Sequence, residues 1–188
     1  MADRHQFRAK WHDYNTGLYF VTICTHEKRH LFGRIVSDNP EGTRFIASAL
    51  GEIVDGCIKK IPDIHPDVEV CNYVVMPNHI HMVLSVGAQY IAPAATEGIF
   101  RNTGCLKPPM RGDPVEDNHF NSRLAVVIRT FKAAVTREAR AQCIAPLQVW
   151  QRSFHEHIIR EQHAFENIMN YVDTNAENWN MDCFLISK

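Results

Sequence analysis

The chain has 188 residues, of which 45% are hydrophobic and 22% are charged, with 9 glycines and 9 prolines. This composition is typical of a globular domain with a buried core, and it excludes a disordered, collagen-like or coiled-coil chain. Because 20 basic residues stand against 21 acidic ones, the formal net charge is −1, so any surface that binds nucleic acid has to be local.

The cysteines and the apolar segments exclude further classes. None of the six cysteines forms a C-x-x-C pair, which argues against a zinc finger or a zinc ribbon. No apolar stretch approaches the roughly 18 residues that a membrane span needs, and the polar residues after Met1 do not form a secretory signal. We therefore expect a cytoplasmic protein with reduced cysteines and no membrane partner. The eleven histidines are the unusual feature.

The N-terminal half of the chain predicts three strands and one helix. Residues 18–25 are rich in β-branched and aromatic side chains, which favours a strand. After a segment with Gly, Asn and Pro over 33–42, apolar residues recur at three- and four-residue steps over 45–61, which predicts an amphipathic helix. Two further strands are predicted over 68–76 and 79–86, with a Pro-Asn turn between them.

The C-terminal half completes a single domain over 1–188. Residues 87–118 hold four glycines and four prolines with little periodicity, which predicts a mobile insertion. Beyond it the apolar pattern predicts a helix over 121–140, a fourth strand over 148–159 and a last helix from 161 to about 179. We expect an α+β fold: a ferredoxin-like antiparallel β-sheet with helices packed on one face, plus a C-terminal helix that carries a tyrosine.

Two histidines on the predicted third strand are the sharpest signal. His79 and His81 project to one face, about 7 Å apart along the backbone, while Ile80 projects to the core. Two imidazoles placed in this way can share one metal ion. The spacing alone equally allows two histidines on a solvated face. His155 and His157 form a second H-x-H pair, around which no other site residue is apparent.

Tyr171 and Asn175 lie one turn apart on the last predicted helix, at the edge of its apolar stripe. A tyrosine in this position is commonly an amphipathic residue with a buried ring, and the asparagine a residue near the end of the helix. Alternatively, the amide oxygen could join two imidazoles around Mg²⁺ or Mn²⁺, with the phenol beside the metal. The pattern leaves both interpretations open.

Four blocks of the sequence resemble those of the single-tyrosine HUH transposases, in particular the REP-associated tyrosine transposases of bacteria. The blocks are Tyr14–Thr22, Met76–His81, Val149–His157 and Tyr171–Trp179, and Phe32-Gly33 follows the first of them. The resemblance spans most of the chain. Three features depart from the family pattern. Ala176 stands where the family often has proline, the insertion is longer than a minimal member needs, and the whole chain is far less basic than a DNA enzyme usually is.

The resemblance implies an enzyme that nicks and joins single-stranded DNA, at a hairpin, through a 5′-phosphotyrosine intermediate. It makes Tyr171 the nucleophile, and His79, His81 and Asn175 the ligands of a divalent metal, Mg²⁺ or Mn²⁺. The implied partner is single-stranded or hairpin DNA, and the implied location is the cytoplasm, in association with the nucleoid. Whether the chain forms a homodimer, and whether the tyrosine completes its own site or a partner's, is left open by the sequence.

Local basic and aromatic residues are the candidates for contacts with DNA. The candidates are Arg129, Lys132, Arg137, Arg140, Trp150, Arg152, Arg4, Arg8 and Lys10. A solvated helix face is the alternative interpretation for the basic ones. Two other functions are also compatible with the sequence. One is a catalytically silent protein that binds hairpin DNA, and the other is a metal-dependent hydrolase of small substrates, in which Tyr171 would be dispensable.

Overall fold

The computed structural model describes residues 14–38, 42–87, 122–144, 146 and 148–181. The predicted insertion beyond Gly87 lies outside the described residues. The predicted DNA contacts Arg4, Arg8 and Lys10, which precede residue 14, also lie outside them. In chain order the elements are β1 (Gly17–Cys24), a 3₁₀ turn (His26–Lys28), β2 (Gly33–Asp38), β3 (Gly42–Ala47), α1 (Ala49–Lys59), α2 (Ile61–Ile64), β4 (Val68–Met76), β5 (His79–Val86), α3 (Arg123–Ala141), β6 (His155–Ile159), α4 (Gln162–Thr174) and a final 3₁₀ turn (Trp179–Met181).

Three strand pairings join four strands into the predicted ferredoxin-like sheet. Its strand order is β4-β5-β1-β6, and every neighbouring pair is antiparallel. The two central strands, β5 and β1, are therefore hydrogen-bonded on both sides, and β6 is an edge strand. None of the helices that the structure describes combines the length and apolar composition needed to cross a bilayer.

Helices cover both faces of the sheet, and β5 is buried throughout. Ile80, Met82 and Leu84 project into the larger core, which α1 and α3 complete. The alternate side chain Val83 projects to the other face, into a smaller cluster with Phe165 of α4. As predicted, two helices share one face and the chain ends in an additional helix. The sequence did not assign that last helix to a face, and the structure packs it on the opposite one.

The prediction of a helix over 45–61 is wrong at its start. Phe45 and Ile46 lie in β3, which pairs with β2 in a two-stranded hairpin that the composition did not predict. Helix α1 begins only after Ser48, whose hydroxyl accepts a hydrogen bond from the Gly51 N–H at 3.1 Å. The apolar residues of β3 happen to continue the three- and four-residue spacing of those in α1. The N-cap between the two elements does not interrupt this spacing, so the pattern alone could not show where the helix begins.

The fourth predicted strand, over 148–159, is regular only in β6. Before it, Trp150 forms an isolated bridge with Thr25, the residue that follows β1. The Trp150 side chain turns towards α3, where its Nε1–H donates to the Lys132 carbonyl at 3.1 Å and its ring lies 5.8 Å from that of Phe131. Because the tryptophan packs into the core, this part of the chain leaves the strand ladder.

Candidate active site

His79 and His81 open strand β5 and project to the face that α4 covers. Their exposed fractions are 0% and 1%, and their ring centroids lie 4.5 Å apart. The interpretation of the pair as histidines on a solvated face is therefore wrong. Helix α4 and the turns that follow it bury this face. The alternation of side chains along a strand predicted only that both histidines point away from the larger core.

Each imidazole is oriented by a hydrogen bond at Nδ1. The His79 Nδ1–H donates to the Asn78 Oδ1 at 2.8 Å, and the His81 Nδ1 lies 2.9 Å from the Thr22 hydroxyl. Since an amide oxygen only accepts, the neutral His79 ring carries its proton on Nδ1 and its lone pair on Nε2. A metal-binding histidine is commonly held in this way, with the second nitrogen left for the metal.

Burial keeps both rings uncharged. Desolvation lowers the pKa of His79 to about 2, with smaller contributions from the nearby His81 and Lys28. Burial likewise lowers the pKa of His81 to about 4. At neutral pH the two imidazoles are therefore in the form that ligates metals.

Tyr171 reaches the histidine pair from α4 of the same chain. Its hydroxyl lies 3.3 Å from the His81 Nε2, and the two ring centroids are 5.3 Å apart. The ring of Phe20 packs against both, with its centroid 5.0 Å from that of His81 and 6.0 Å from that of Tyr171. Because Tyr171 is 41% exposed, a substrate from solvent can reach a phenol that touches a buried imidazole.

Asn175 lies one turn after Tyr171 and caps α4, which ends at Thr174, earlier than predicted. It is 2% exposed, and no hydrogen-bond donor among the described residues reaches its Oδ1. One turn further on, the ring of Trp179 stacks on His79 with a centroid distance of 6.1 Å. Along the chain, Asn175 therefore stands between Tyr171, which contacts His81, and Trp179, which contacts His79. A buried acceptor that lacks a donor is what a cation ligand requires.

These side chains fit a divalent cation. Neutral imidazole nitrogens bind divalent transition-metal ions, and an amide oxygen is a ligand type for Mg²⁺ and Mn²⁺. The structure contains no group of three or more His, Cys, Asp and Glu residues that could hold a metal, as far as residues 14–38, 42–87 and most of 122–181 are concerned. A metal at the histidine pair would therefore depend on the asparagine as its third protein ligand.

The 3₁₀ turn after β1 lies next to the histidine pair and holds residues that the sequence did not mark as candidates. Glu27 and Lys28 both have positive φ, 54° and 52°, a conformation that costs a residue with a side chain about 1–2 kcal/mol. The Thr25 hydroxyl, just before this turn, donates to the carbonyl of Asn78 at 3.0 Å and so links the turn to the residue that precedes the strand of the histidine pair. Four of the five residues over 26–30 are basic or carry an imidazole, and this is the signal that could have identified the turn.

The predicted DNA-contact residues are distributed over two sides of the molecule. Arg129, Arg137 and Arg140 are exposed on α3, which covers the sheet face opposite to the histidine pair. Arg152 is exposed in the segment before β6. The structure therefore does not bring the arginines of α3 together with Tyr171.

Lys132 and Trp150 connect α3 to the segment before β6. The Lys132 Nζ donates to the carbonyls of Gln151 and Ser153, at 3.0 Å in each case, and burial lowers the pKa of this lysine to about 8. Trp150 is only 9% exposed. Both side chains therefore hold α3 against the segment before β6. That they also contact DNA stays a prediction.

The fold agrees with that of a solved transposase. The structure of a REP-associated tyrosine transposase bound to a REP hairpin matches this chain with a TM-score of 0.54 and 16% identity, over 98% of this chain and 76% of that one. The chain therefore has the ferredoxin-like fold of this class of protein, as the resemblance in its sequence implies.

A closer relative defines the family. An uncharacterized protein of Haemophilus influenzae is 30% identical over 180 residues, which cover 95% of this chain and 91% of that protein. The chain belongs to the same family as the Haemophilus protein. No family model matches the chain.

Proposed function

We propose that this protein is a metal-dependent transposase that nicks and joins single-stranded DNA through Tyr171. The observation that carries the proposal is the distance of 3.3 Å between the Tyr171 hydroxyl and the His81 Nε2 within one chain. A partly exposed phenol beside a cation site is a nucleophile next to a group that can stabilise charge on a phosphate. The fold shared with a tyrosine transposase bound to a hairpin supports hairpin DNA as the substrate.

The proposed reaction is a transesterification. The phenol oxygen of Tyr171 bonds to phosphorus while the bond between phosphorus and the 3′ oxygen breaks. The phenol loses its proton, the 3′ oxygen leaves as a hydroxyl, and the 5′ phosphate stays linked to the tyrosine. Because one phosphate ester replaces another, the 3′ hydroxyl of a second strand can reverse the step and join that strand without ATP.

The site has to compensate for a weak nucleophile, because a phenol with an ordinary pKa of about 10 is mostly protonated at neutral pH. A divalent cation held by His79, His81 and Asn175 would polarise a non-bridging phosphate oxygen and stabilise the charge that develops there.

The surrounding residues orient these groups. Thr22 and Asn78 hold the imidazoles through their Nδ1 atoms, so that each Nε2 faces away from its hydrogen-bond partner. Phe20 packs against the ring of Tyr171 and restricts its position, and Trp179 shields His79 from water. Such restriction keeps the phenol close to the position of attack.

The proposal is tested by a covalent adduct. Incubated with Mn²⁺ and a DNA hairpin that carries a single-stranded flank, the protein should form an adduct that survives a denaturing gel. Tyr171→Phe should reduce the adduct below detection, with the Kd for the hairpin unchanged within about twofold, because the variant lacks only the attacking oxygen. Tyr73→Phe is the matched control: it removes a phenol that donates to Asp55 at 2.7 Å, and it should keep the adduct.

Two results would contradict the proposal. Tight hairpin binding by the natural chain without any adduct would identify a catalytically silent DNA-binding protein. Hydrolysis of a simple phosphodiester that persists in Tyr171→Phe would identify a metal-dependent hydrolase.

A further inference from the structure

The second H-x-H pair lies on the same sheet face as the first. Thr22 pairs with His81 on β5 and with His155 on β6, so the three residues form one row across the sheet. Directly paired residues of antiparallel strands project to the same face, and the hydrogen bond of 2.9 Å between Thr22 and His81 agrees with this. With strands about 4.8 Å apart, the backbone of His155 lies about 10 Å from that of His81.

His157 lies in the neighbouring row. It pairs with Phe20, the residue whose ring contacts both His81 and Tyr171. Ile158, the residue after His157, projects to the other face of the strand and packs against the larger core. His157 therefore flanks the aromatic side chain that packs against the proposed nucleophile.

Unlike the first pair, the second pair is exposed. β6 is the edge strand of the sheet, and both of its histidines are open to solvent. Ile159, the next residue on this face, belongs to the buried cluster beneath α4. Along this face of β6, the strand therefore has a buried apolar residue at its end and two exposed imidazoles before it, beside the candidate site.

The chemistry of this edge suits an anion. Imidazole N–H groups donate hydrogen bonds, and phosphate oxygens accept them. Arg152 and Arg160 are exposed on either side of the pair in sequence. Glu156, the carboxylate between the two histidines, projects to the opposite face of the strand.

We propose that His155 and His157 are positioning residues that donate hydrogen bonds to the phosphates next to the scissile phosphate, on the single-stranded segment that crosses the edge of the sheet. The inference rests on the proposed function, because the edge pair can reach the DNA strand only if that strand also lies across Tyr171. The groups recognised are backbone phosphates, so the contribution should not depend on base sequence.

The test measures binding of two DNA hairpins, one with a single-stranded extension that passes the cleavage position and one without it. In the background of Tyr171→Phe, the double variant His155→Ala/His157→Ala should bind the extended hairpin roughly tenfold more weakly and the short hairpin unchanged. The double variant His155→Lys/His157→Lys keeps two donors and should regain most of the affinity. His163→Ala, at an exposed histidine of α4, is the matched control and should leave both affinities unchanged.

Two outcomes would overturn the inference. One is equal affinity of the alanine variant and its parent for the extended hairpin. The other is a lysine variant as weak as the alanine variant, which would indicate a role specific to imidazole, such as metal binding. Failure of the proposed function is recognised by a different measurement, the absence of an adduct with Tyr171 intact. Rescue of affinity by lysine would then show that the edge pair binds phosphates of the extension in a protein that does not cleave it.

Discussion

The imidazoles of His79 and His81 are neutral at physiological pH because the protein buries them and offers each a hydrogen bond at Nδ1. In the unfolded chain the same side chains take up protons near the ordinary histidine pKa of about 6.5. The two histidines of the proposed metal site therefore also couple the stability of the metal-free protein to pH.

We expect the free energy of unfolding of the metal-free protein to fall as the pH drops below about 6.5. In the folded state His81 stays neutral down to a pH of about 4 and His79 down to about 2. The unfolded state thus binds more protons in this range, and the stability that is complete above the unfolded pKa is lost as the pH falls. Each histidine changes stability by up to about 1.4 kcal/mol per pH unit. Denaturant titrations between pH 7.5 and 5 measure this slope.

The variant His81→Gln should reduce that slope by up to about 1.4 kcal/mol per pH unit. Glutamine does not titrate, so the variant takes up one proton fewer when it unfolds. A slope that is the same in His81→Gln and in the natural chain would contradict the neutral, buried state of this ring.

Helix α1 packs so closely on the chain before β2 that one of its positions admits only glycine. A Cβ at Gly51 would lie 2.0 Å from the Phe32 carbonyl oxygen, which also accepts a hydrogen bond from the Ser48 N–H at 2.8 Å. A Cβ at Gly56, on the same helix, would meet nothing within 4 Å. The close approach holds the β2–β3 hairpin and the first helix together.

Substitution of the two glycines should have opposite effects. Gly51→Ala forces the helix away from the Phe32 backbone and should lower the free energy of unfolding by about 1–3 kcal/mol. Gly56→Ala gains helix propensity without a clash and should raise it by about 1 kcal/mol. Denaturant unfolding of both variants measures the difference. Equal effects of the two substitutions would show that α1 does not pack on this carbonyl.

In the molecule as a whole, one chain supplies all the groups of the candidate site. The histidine pair comes from β5, its partner Thr22 from β1, and Tyr171 from α4, and these elements pack together within one subunit. An active site of this kind needs no exchange of the last helix between subunits.

A mixture of the two inactive variants Tyr171→Phe and His81→Gln should therefore form no more DNA adduct than either variant alone. If α4 completed the site of a partner subunit, hybrid dimers would contain one intact site and would restore part of the activity. Adduct formation after co-refolding of the two variants distinguishes these cases. Recovery of a substantial fraction of the activity of the natural chain would contradict assembly within one subunit.

The order of strands and helices was largely predictable from the sequence, because the alternation of apolar residues is set by local backbone geometry. The same geometry placed His79 and His81 on one face of a strand. Local pattern could not separate β3 from α1, since their apolar steps run together across Ser48. It also could not show that Trp150 leaves the strand ladder, because the partners of its side chain lie in α3.

By itself, the sequence determined which residues share a face: the two imidazoles of β5, the two of β6, and the pair formed by Tyr171 and Asn175. Only the tertiary structure decided that the first imidazole pair is buried, that a phenol 90 residues further on touches it, and that the second pair lies in the adjoining rows. The physical reason is the distance along the chain over which the deciding contacts act. Alternation and helical periodicity depend on neighbouring residues, whereas strand register and the packing of α4 depend on contacts between distant segments of the chain.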